Sequence, residues 1–150
     1  MQKKRDLVEG ATYHVTSRTN AKVMAFSEKL GRKIMLLMLS EAKEKYGFVL
    51  HNFCIMPNHI HLLITPEAGT NLSNILHWVK LTSSKSWNRT YNSSDHLWGG
   101  RFFSRVIKDP DDYLAVSEYI DQNPIKAGLV SNADEWDACG AYYTANGCEL

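Results

Sequence analysis

FCIMPNHIHLLIT, residues 53–65, predicts the turn and second strand of a β-hairpin. Met56-Pro57-Asn58 has the composition of a tight turn, because proline presets φ and asparagine tolerates left-handed geometry. The preceding residues, 48–55, have the composition of the first strand. Side chains alternate between the faces of a strand. One face of the second strand is therefore uniformly apolar, with Ile60, Leu62 and Ile64, and is expected to face a core.

The other face of the same strand begins with two histidines, His59 and His61. Residues i and i+2 project the same way, so two imidazoles would lie close enough to bind one cation. Imidazole is the commonest protein ligand of metals. Short motifs also arise by chance, and histidines in strands are often structural or simply solvated. The pair alone leaves both interpretations open.

Length and composition indicate one soluble domain, residues 1–150, with a sizeable core. Hydrophobic residues make up 44% and charged residues 22%, which is ordinary for a globular protein. No apolar run is long enough to span a bilayer, and residues 1–10 lack the apolar stretch of a signal peptide. The three cysteines show no CxxC spacing, which favours reduced thiols in the cytoplasm.

The net charge of +1 conceals an uneven distribution. Residues 1–109 hold 16 Lys and Arg against 8 Asp and Glu, whereas residues 110–150 hold 1 against 8. A basic body of this kind could turn a cationic face toward a polyanion. Alternatively, the two oppositely charged parts neutralise each other within the fold.

Further strands and helices flank the hairpin. Residues 11–18 predict a strand with His14, Thr16 and Arg18 on one face; His14 either joins the histidine pair or, as favoured here, packs within the sheet. Residues 27–46 predict a helix with a buried stripe of Leu30, Ile34, Leu37 and Met38.

A second helix is predicted from an Asn71 cap to about Asn88, with Leu72, Ile75, Leu76 and Val79 as its apolar stripe. Lys80 and Lys85 lie along it among tryptophans, which suits either a nucleic-acid surface or a solvated helix face. After a polar loop, residues 102–107 predict another strand. Arg101 and Arg105 would share one of its faces if the strand began that early.

Asp109 and Pro110 predict the start of a third helix, which should stop by Asn123 because Pro124 follows. Tyr119 and Asn123 are four residues apart and therefore share one face of this helix. Asn123 could add an oxygen ligand to a cation on the two histidines, and Mg²⁺ or Mn²⁺ would suit such a site. The ordinary alternatives are a helix cap for Asn123 and a core position for Tyr119.

The chain resembles the single-tyrosine HUH transposases, and more closely their REP-associated tyrosine transposase branch. The motifs that carry the resemblance occur in the family's order: YHVTSR, FCIMPNHIHLLI, NILHWVKLTSSKSWN, LWGGRFFSRVI and DDYLAVSEYIDQNPIKAGLV. The resemblance implies an α+β fold, a ferredoxin-like sandwich with a mostly antiparallel sheet and helices packed on it. It also implies that residues 1–150 form one HUH transposase catalytic domain.

By the same resemblance, Tyr119 matches the family's nucleophile, and His59, His61 and Asn123 match its ligands for Mg²⁺ or Mn²⁺. The implied activity is cleavage and rejoining of single-stranded DNA beside hairpins through a 5′-phosphotyrosine, by a monomer or homodimer. The expected DNA contacts form a wider set: Arg18, Lys80, Lys85, Trp98, Arg101 and Arg105.

Three rival functions are set against this one. The chain could hold structured DNA without cutting it, or act as a nickase of the replication-initiator or relaxase type. A small metallohydrolase would use His59 and His61 but would not need Tyr119. The intact set of His59, His61, Tyr119 and Asn123 argues against a mere binder, and the YIDQNPIKAGL motif favours the transposase branch.

Overall fold

Four strands form one antiparallel sheet in the computed structural model, which describes residues 7–150. They are β1 (Tyr13–Arg18), β2 (Phe48–Met56), β3 (His59–Pro66) and β4 (Phe103–Val106), in the order β2-β3-β1-β4. The predicted hairpin is therefore present, and β3 is a central strand. Residues 1–6, part of the segment on which the expected lack of a signal peptide rests, lie outside the described residues.

Four α-helices connect and cover these strands: α1 (Lys29–Tyr46), α2 (Leu72–Tyr91), α3 (Pro110–Lys126) and α4 (Gly140–Ala145). Short 3-10 turns occur at Asn20–Lys22 and Ala133–Glu135. The predicted caps of α2 and α3 are confirmed. Asn71 accepts the backbone N–H of Ser73 at 2.7 Å, and Asp109 accepts that of Asp112 at 2.7 Å.

One face of the sheet is fully buried. Val15 of β1 and Ile60, Leu62 and Ile64 of β3 are at most 1% exposed. Helices α1 and α2 pack on each other and carry the apolar stripes that complete this core. The apolar face predicted from alternation is therefore the core face.

The opposite face of the sheet is covered by α3, which packs on β2 and β3. A buried asparagine fixes this contact. The Asn52 amide nitrogen lies 3.0 Å from Ser117 Oγ, 3.1 Å from the Ser117 carbonyl and 2.9 Å from Asp121 Oδ1. Because Ser117 and Asp121 are one turn apart, Asn52 sets the rotation of α3 about its own axis.

The C-terminal segment covers the free edge of β2. The Ile55 N–H donates to the Ala138 carbonyl at 2.8 Å, and the Trp136 indole N–H donates to the Ile55 carbonyl at 2.9 Å. Arg32 of α1 pairs with Asp137 at 2.8 Å. This pair joins the basic body to the acidic quarter of the chain, as expected if the two parts neutralise each other in the fold.

Two details of the predicted helices were wrong. Leu30 and Leu37 of α1 are half exposed, whereas Ile34, Met35, Met38 and Leu39 are buried, so the buried stripe is rotated about the helix. Helix α3 does not stop by Asn123. It continues through Pro124 to Lys126, because proline removes only one hydrogen bond near the helix end and its ring is buried.

The cysteines and the length of the helices also bear on the sequence predictions. Cys54, Cys139 and Cys148 form no disulfide within the described residues. No helix within residues 7–150 combines the length and the apolar character that crossing a bilayer requires.

Candidate active site

The two histidines stand at the start of β3, directly after the Pro57-Asn58 turn. Because they are separated by one residue, both point to the face that α3 covers. Their ring centroids are 5.0 Å apart, with the planes nearly perpendicular. His61 is 4% exposed and His59 is half-buried, so the pair leads from the surface into the space between sheet and helix.

Each histidine is held through its Nδ1 atom. His59 Nδ1 lies 2.8 Å from the side-chain oxygen of Asn58, which can only accept, so His59 donates from Nδ1. His61 Nδ1 lies 3.0 Å from His14 Nε2 and 3.2 Å from Thr16 Oγ1. Neither Nε2 atom has a hydrogen-bond partner among residues 7–150. This is the arrangement of metal-binding histidines, whose second nitrogen is fixed by a neighbour.

The surroundings keep both imidazoles neutral. Burial lowers the pKa of His61 to about 3, assisted by the charges of His59, His14 and Arg18. Burial also lowers the pKa of His59, and the Arg18 charge adds to the effect. A neutral imidazole carries the lone pair that a cation requires. Electrostatics therefore favours the ligand form of both rings at neutral pH.

Helix α3 brings Tyr119 to this pair. The Tyr119 ring centroid is 5.6 Å from that of His61 and 6.0 Å from that of His14, in edge-on geometry both times. The side chain is 48% exposed, so a macromolecular substrate can reach it from solvent. The alternative of a core tyrosine is excluded by this exposure.

Asn123 lies one turn after Tyr119 on α3. Its amide nitrogen donates to the Tyr119 carbonyl at 2.8 Å, which fixes the side chain along the helix. Its side-chain oxygen has no hydrogen-bond partner in the described part of the chain. The amide oxygen is therefore available as a ligand on the helix that carries Tyr119.

The donor set fits a divalent cation that also takes oxygen from its substrate. Two neutral imidazoles with unpartnered Nε2 atoms and one amide oxygen leave further coordination positions open. Within residues 7–150 no cluster of three His, Cys, Asp or Glu side chains is placed to hold a metal. Of the three predicted ligands, the structure places His59 and His61 together, and Asn123 lies on the helix that brings Tyr119 to His61.

The predicted DNA contacts divide into two groups, of which the first borders the histidines. Arg18 is exposed at the end of β1, and its backbone pairs with His59. Arg105 lies opposite His14 on β4, but its guanidinium forms a bidentate pair with Asp112 at 2.8 and 2.9 Å. Arg101 precedes β4, so the early strand start that would place it on one face with Arg105 is not observed.

The second group lines a cleft of about 630 Å³ between α2 and residues 96–102. Lys80, Trp98 and Arg101 belong to its wall. Lys80 contacts the Gly100 carbonyl, and the Trp98 indole N–H donates to Ser83 at 3.0 Å. The Gly99 N–H donates to the Arg18 carbonyl at 3.0 Å, so this loop begins beside the histidine pair. Lys85 is exposed on α2 and is not among the residues that line the cleft.

Several site residues escaped the sequence prediction. His14 was expected to pack within the sheet, yet it contacts both His61 and Tyr119. Asn58 orients His59 although it was assigned only to the turn. The ammonium of Lys126 lies 5.8 Å from the Tyr119 ring centroid. Its spacing of seven residues from Tyr119 was the available signal, because residues i and i+7 share a helix face.

Comparison with known proteins gives the fold and the family. The structure aligns with a solved REP-associated tyrosine transposase bound to a REP hairpin, with a TM-score of 0.81 and 20% identity, over 100% of this chain and 88% of that one. A Deinococcus radiodurans structure with the provisional description of a transposase aligns with a TM-score of 0.58 and 16% identity, over 81% and 97% of the two chains. The predicted sandwich fold is thereby confirmed.

Sequence comparison gives curated relatives as well. A Haemophilus influenzae protein with the provisional name REP-associated tyrosine transposase is 30% identical over 103 residues, 62% of this chain and 58% of its own. The Escherichia coli K12 REP-associated tyrosine transposase is 26% identical over 97 residues, 64% and 56% of the two chains. The chain spans about half the length of these relatives. Residues 7–123 match the family described as Transposase IS200 like, and the chain belongs to that family.

Proposed function

We propose that this chain cleaves and rejoins single-stranded DNA beside hairpins, with Tyr119 as nucleophile and Mg²⁺ or Mn²⁺ as cofactor. The observation that supports this most is the exposed Tyr119 ring 5.6 Å from the buried ring of His61. Proteins similar to this chain are named REP-associated tyrosine transposases, and one of them is bound to a REP hairpin. A hairpin with a single-stranded flank is therefore the substrate to test.

The proposed reaction is an exchange of phosphate esters. The Tyr119 oxygen forms a bond to phosphorus and loses its proton, while the bond to the 3′ oxygen breaks and that oxygen gains a proton. The product is a 5′-phosphotyrosine and a free 3′ hydroxyl. Because the covalent link conserves the ester, a second 3′ hydroxyl reverses the step and joins two strands.

The chain's own residues hold and orient the reacting groups. His59, His61 and Asn123 would bind the cation, which would supply Lewis acidity to the phosphate, an effect worth several kcal/mol. Asn58 orients His59, and Asn52 sets the rotation of α3 that aims Tyr119. Lys126, beside the Tyr119 ring, would favour an anionic phosphate there.

The single strand would pass from this site to the cleft between α2 and residues 96–102. Arg18 and Arg101 offer guanidinium groups for phosphates on that path, and Lys80 lies in the cleft wall. Phe103, 70% exposed on the site face of β4, offers a ring on which a base can stack. Lys85 and Arg105 are weaker candidates, because Lys85 does not line the cleft and Arg105 is paired with Asp112.

A covalent-adduct assay tests this proposal. The protein is incubated with Mn²⁺ and a single-stranded DNA hairpin carrying flanks and a label on the strand 3′ of the cut, and is then run on a denaturing gel. Wild type should form a labelled adduct, and Tyr119→Phe should form none. The matched control is Tyr113→Phe on the same helix, whose ring contacts His51 instead of the histidine pair, and it should form the adduct.

Two results would contradict the proposal. An adduct with Tyr119→Phe as strong as with wild type would refute the nucleophile assignment. Hairpin binding without any adduct would make the chain a non-catalytic binder of structured DNA.

We further propose that the activity resides in one catalytic domain, residues 1–150, and takes place in the cytoplasm. Light scattering with and without the hairpin distinguishes a monomer from a homodimer.

A further inference from the structure

A third histidine, His14 of β1, lies against the proposed metal pair. Its Nε2 is 3.0 Å from His61 Nδ1, and the two rings are stacked with centroids 5.3 Å apart. The backbone register explains the contact, because His14 pairs with Leu63 and Thr16 pairs with His61 on neighbouring strands. His14 thus contacts a proposed ligand without being needed as a ligand itself.

The proton on His61 decides whether that ring can bind a cation. A neutral imidazole carries one proton, on Nδ1 or on Nε2, and only the nitrogen without it can coordinate. On Nδ1, the proton has two acceptors within reach, His14 Nε2 and Thr16 Oγ1. On Nε2, it has none among residues 7–150. Hydrogen bonding within the described part of the protein therefore favours the form of His61 with its proton on Nδ1.

The two acceptors are not equivalent. The Thr16 hydroxyl can donate or accept, so it satisfies either form of His61 and selects neither. It is also the longer contact, at 3.2 Å. The ring of His14 is half-buried, and its Nε2 accepts when the proton of that ring is on Nδ1. Unlike a hydroxyl that rotates, His14 Nε2 in one tautomer is either an acceptor or a donor, so the tautomer of His14 determines which form of His61 it satisfies.

We propose that His14 is a positioning residue that accepts the Nδ1 proton of His61 and thereby leaves His61 Nε2 free to bind the cation. This inference rests on the proposed function for the identity of the site, but the proton position is a property of the metal-free protein. In the opposite hydrogen-bond direction, His14 would donate to His61 Nδ1. The proton of His61 would then be on Nε2 and would block coordination of the cation by that atom.

Long-range ¹H–¹⁵N spectra of histidine-labelled, metal-free protein test the proton position directly. Wild-type His61 should carry its proton on Nδ1, and His14→Ala should show a mixture of the two forms. A wild-type proton on Nε2 would overturn the proposal. Circular dichroism and thermal melting of each variant establish that it is folded.

Calorimetric titration with Mn²⁺ in the absence of DNA tests whether His14 strengthens cation binding at His61. His14→Ala should bind Mn²⁺ about 10–100-fold more weakly, the usual loss when the neighbour of a metal-binding histidine is removed. His14→Gln should bind nearly as well as wild type, because a glutamine amide extends to the position of Nε2. His14→Asn is the matched control, because its amide extends only to the position of Nδ1 and should not restore affinity.

The remaining outcomes separate this inference from the proposed function. Thr16→Val should weaken Mn²⁺ binding less than His14→Ala does; the reverse order would overturn the role of His14. In one outcome, wild type binds no Mn²⁺, yet His61 carries its proton on Nδ1 in wild type and loses this preference in His14→Ala. The positioning role of His14 would then stand, and the metal-dependent function would fail. Equal Mn²⁺ affinities of wild type, His14→Ala and His14→Asn would overturn the inference alone.

Discussion

The two faces of β3 differ in what their buried side chains contact. On one face Ile60, Leu62 and Ile64 are fully buried in the apolar core below α1 and α2. On the other, His59 donates to the Asn58 oxygen, and His61 contacts His14, Thr16 and the ring of Tyr119. Strand alternation separates the two roles from His59 to Leu62, whereas Leu63, the next residue on the histidine face, is itself fully buried. Stability and proposed chemistry can therefore be changed independently within one strand.

The largest expected effect is on the histidine face. His59→Ala removes one of the two imidazole ligands, and Lewis-acid assistance is worth several kcal/mol, so adduct formation should fall on the order of 1,000-fold. Because His59 is only half-buried, the thermal midpoint should change little. The measurements are the adduct assay and differential scanning calorimetry. Unchanged adduct formation would separate the histidine pair from the reaction.

The next effect is on the core face. Leu62→Ala empties a fully buried position and should lower the free energy of unfolding by about 2–5 kcal/mol, measured by urea denaturation. The Mn²⁺ affinity of the folded protein should stay close to that of wild type. Ile64→Val is a milder control, with an expected loss of about 0.5–1.5 kcal/mol. A loss of Mn²⁺ affinity without a loss of stability would show that the two faces are not independent.

The smallest effect concerns the polar contact that joins β4 to α3 on the histidine face. Hydrogen bonds from Arg105 and the Lys108 backbone hold the pKa of Asp112 at about 2, below its ordinary value near 4. The charged form is favoured in the folded state, so this contribution is present above pH 4 and is lost as the pH falls toward 2. Urea midpoints of wild type and Asp112→Asn should therefore converge between pH 4 and pH 2. A gap that stays constant would contradict the role of the carboxylate charge.

The hairpin, the α2 cap and the two faces of β3 were predictable because each depends on local sequence. Proline and asparagine at residues 57–58 define the turn, and alternation then assigns every side chain of β3. The stripe of α1 was mispredicted because apolar residues surround much of that helix, so periodicity admits two stripes. Burial of Ile34 and Met38 rather than Leu30 and Leu37 is decided by packing against α2 and the sheet.

The candidate site was predictable in its parts but not in its assembly. Spacing placed His59 with His61, and Tyr119 with Asn123. The contact between His14 and His61 depends on the register of β1 against β3, 47 residues away in the chain, which local sequence does not encode. The pairing of Arg105 with Asp112 likewise joins a strand to the following helix. For this reason Arg105 was predicted as a DNA contact and found in an ion pair.

The Asn52 anchor has a consequence for how such a protein diversifies. Its three acceptors lie on Ser117 and Asp121, two residues to either side of Tyr119. The direction of the Tyr119 phenol therefore depends on a side chain that is only 6% exposed. Surface loops and cationic residues can therefore change while α3 keeps the direction of Tyr119, the proposed nucleophile.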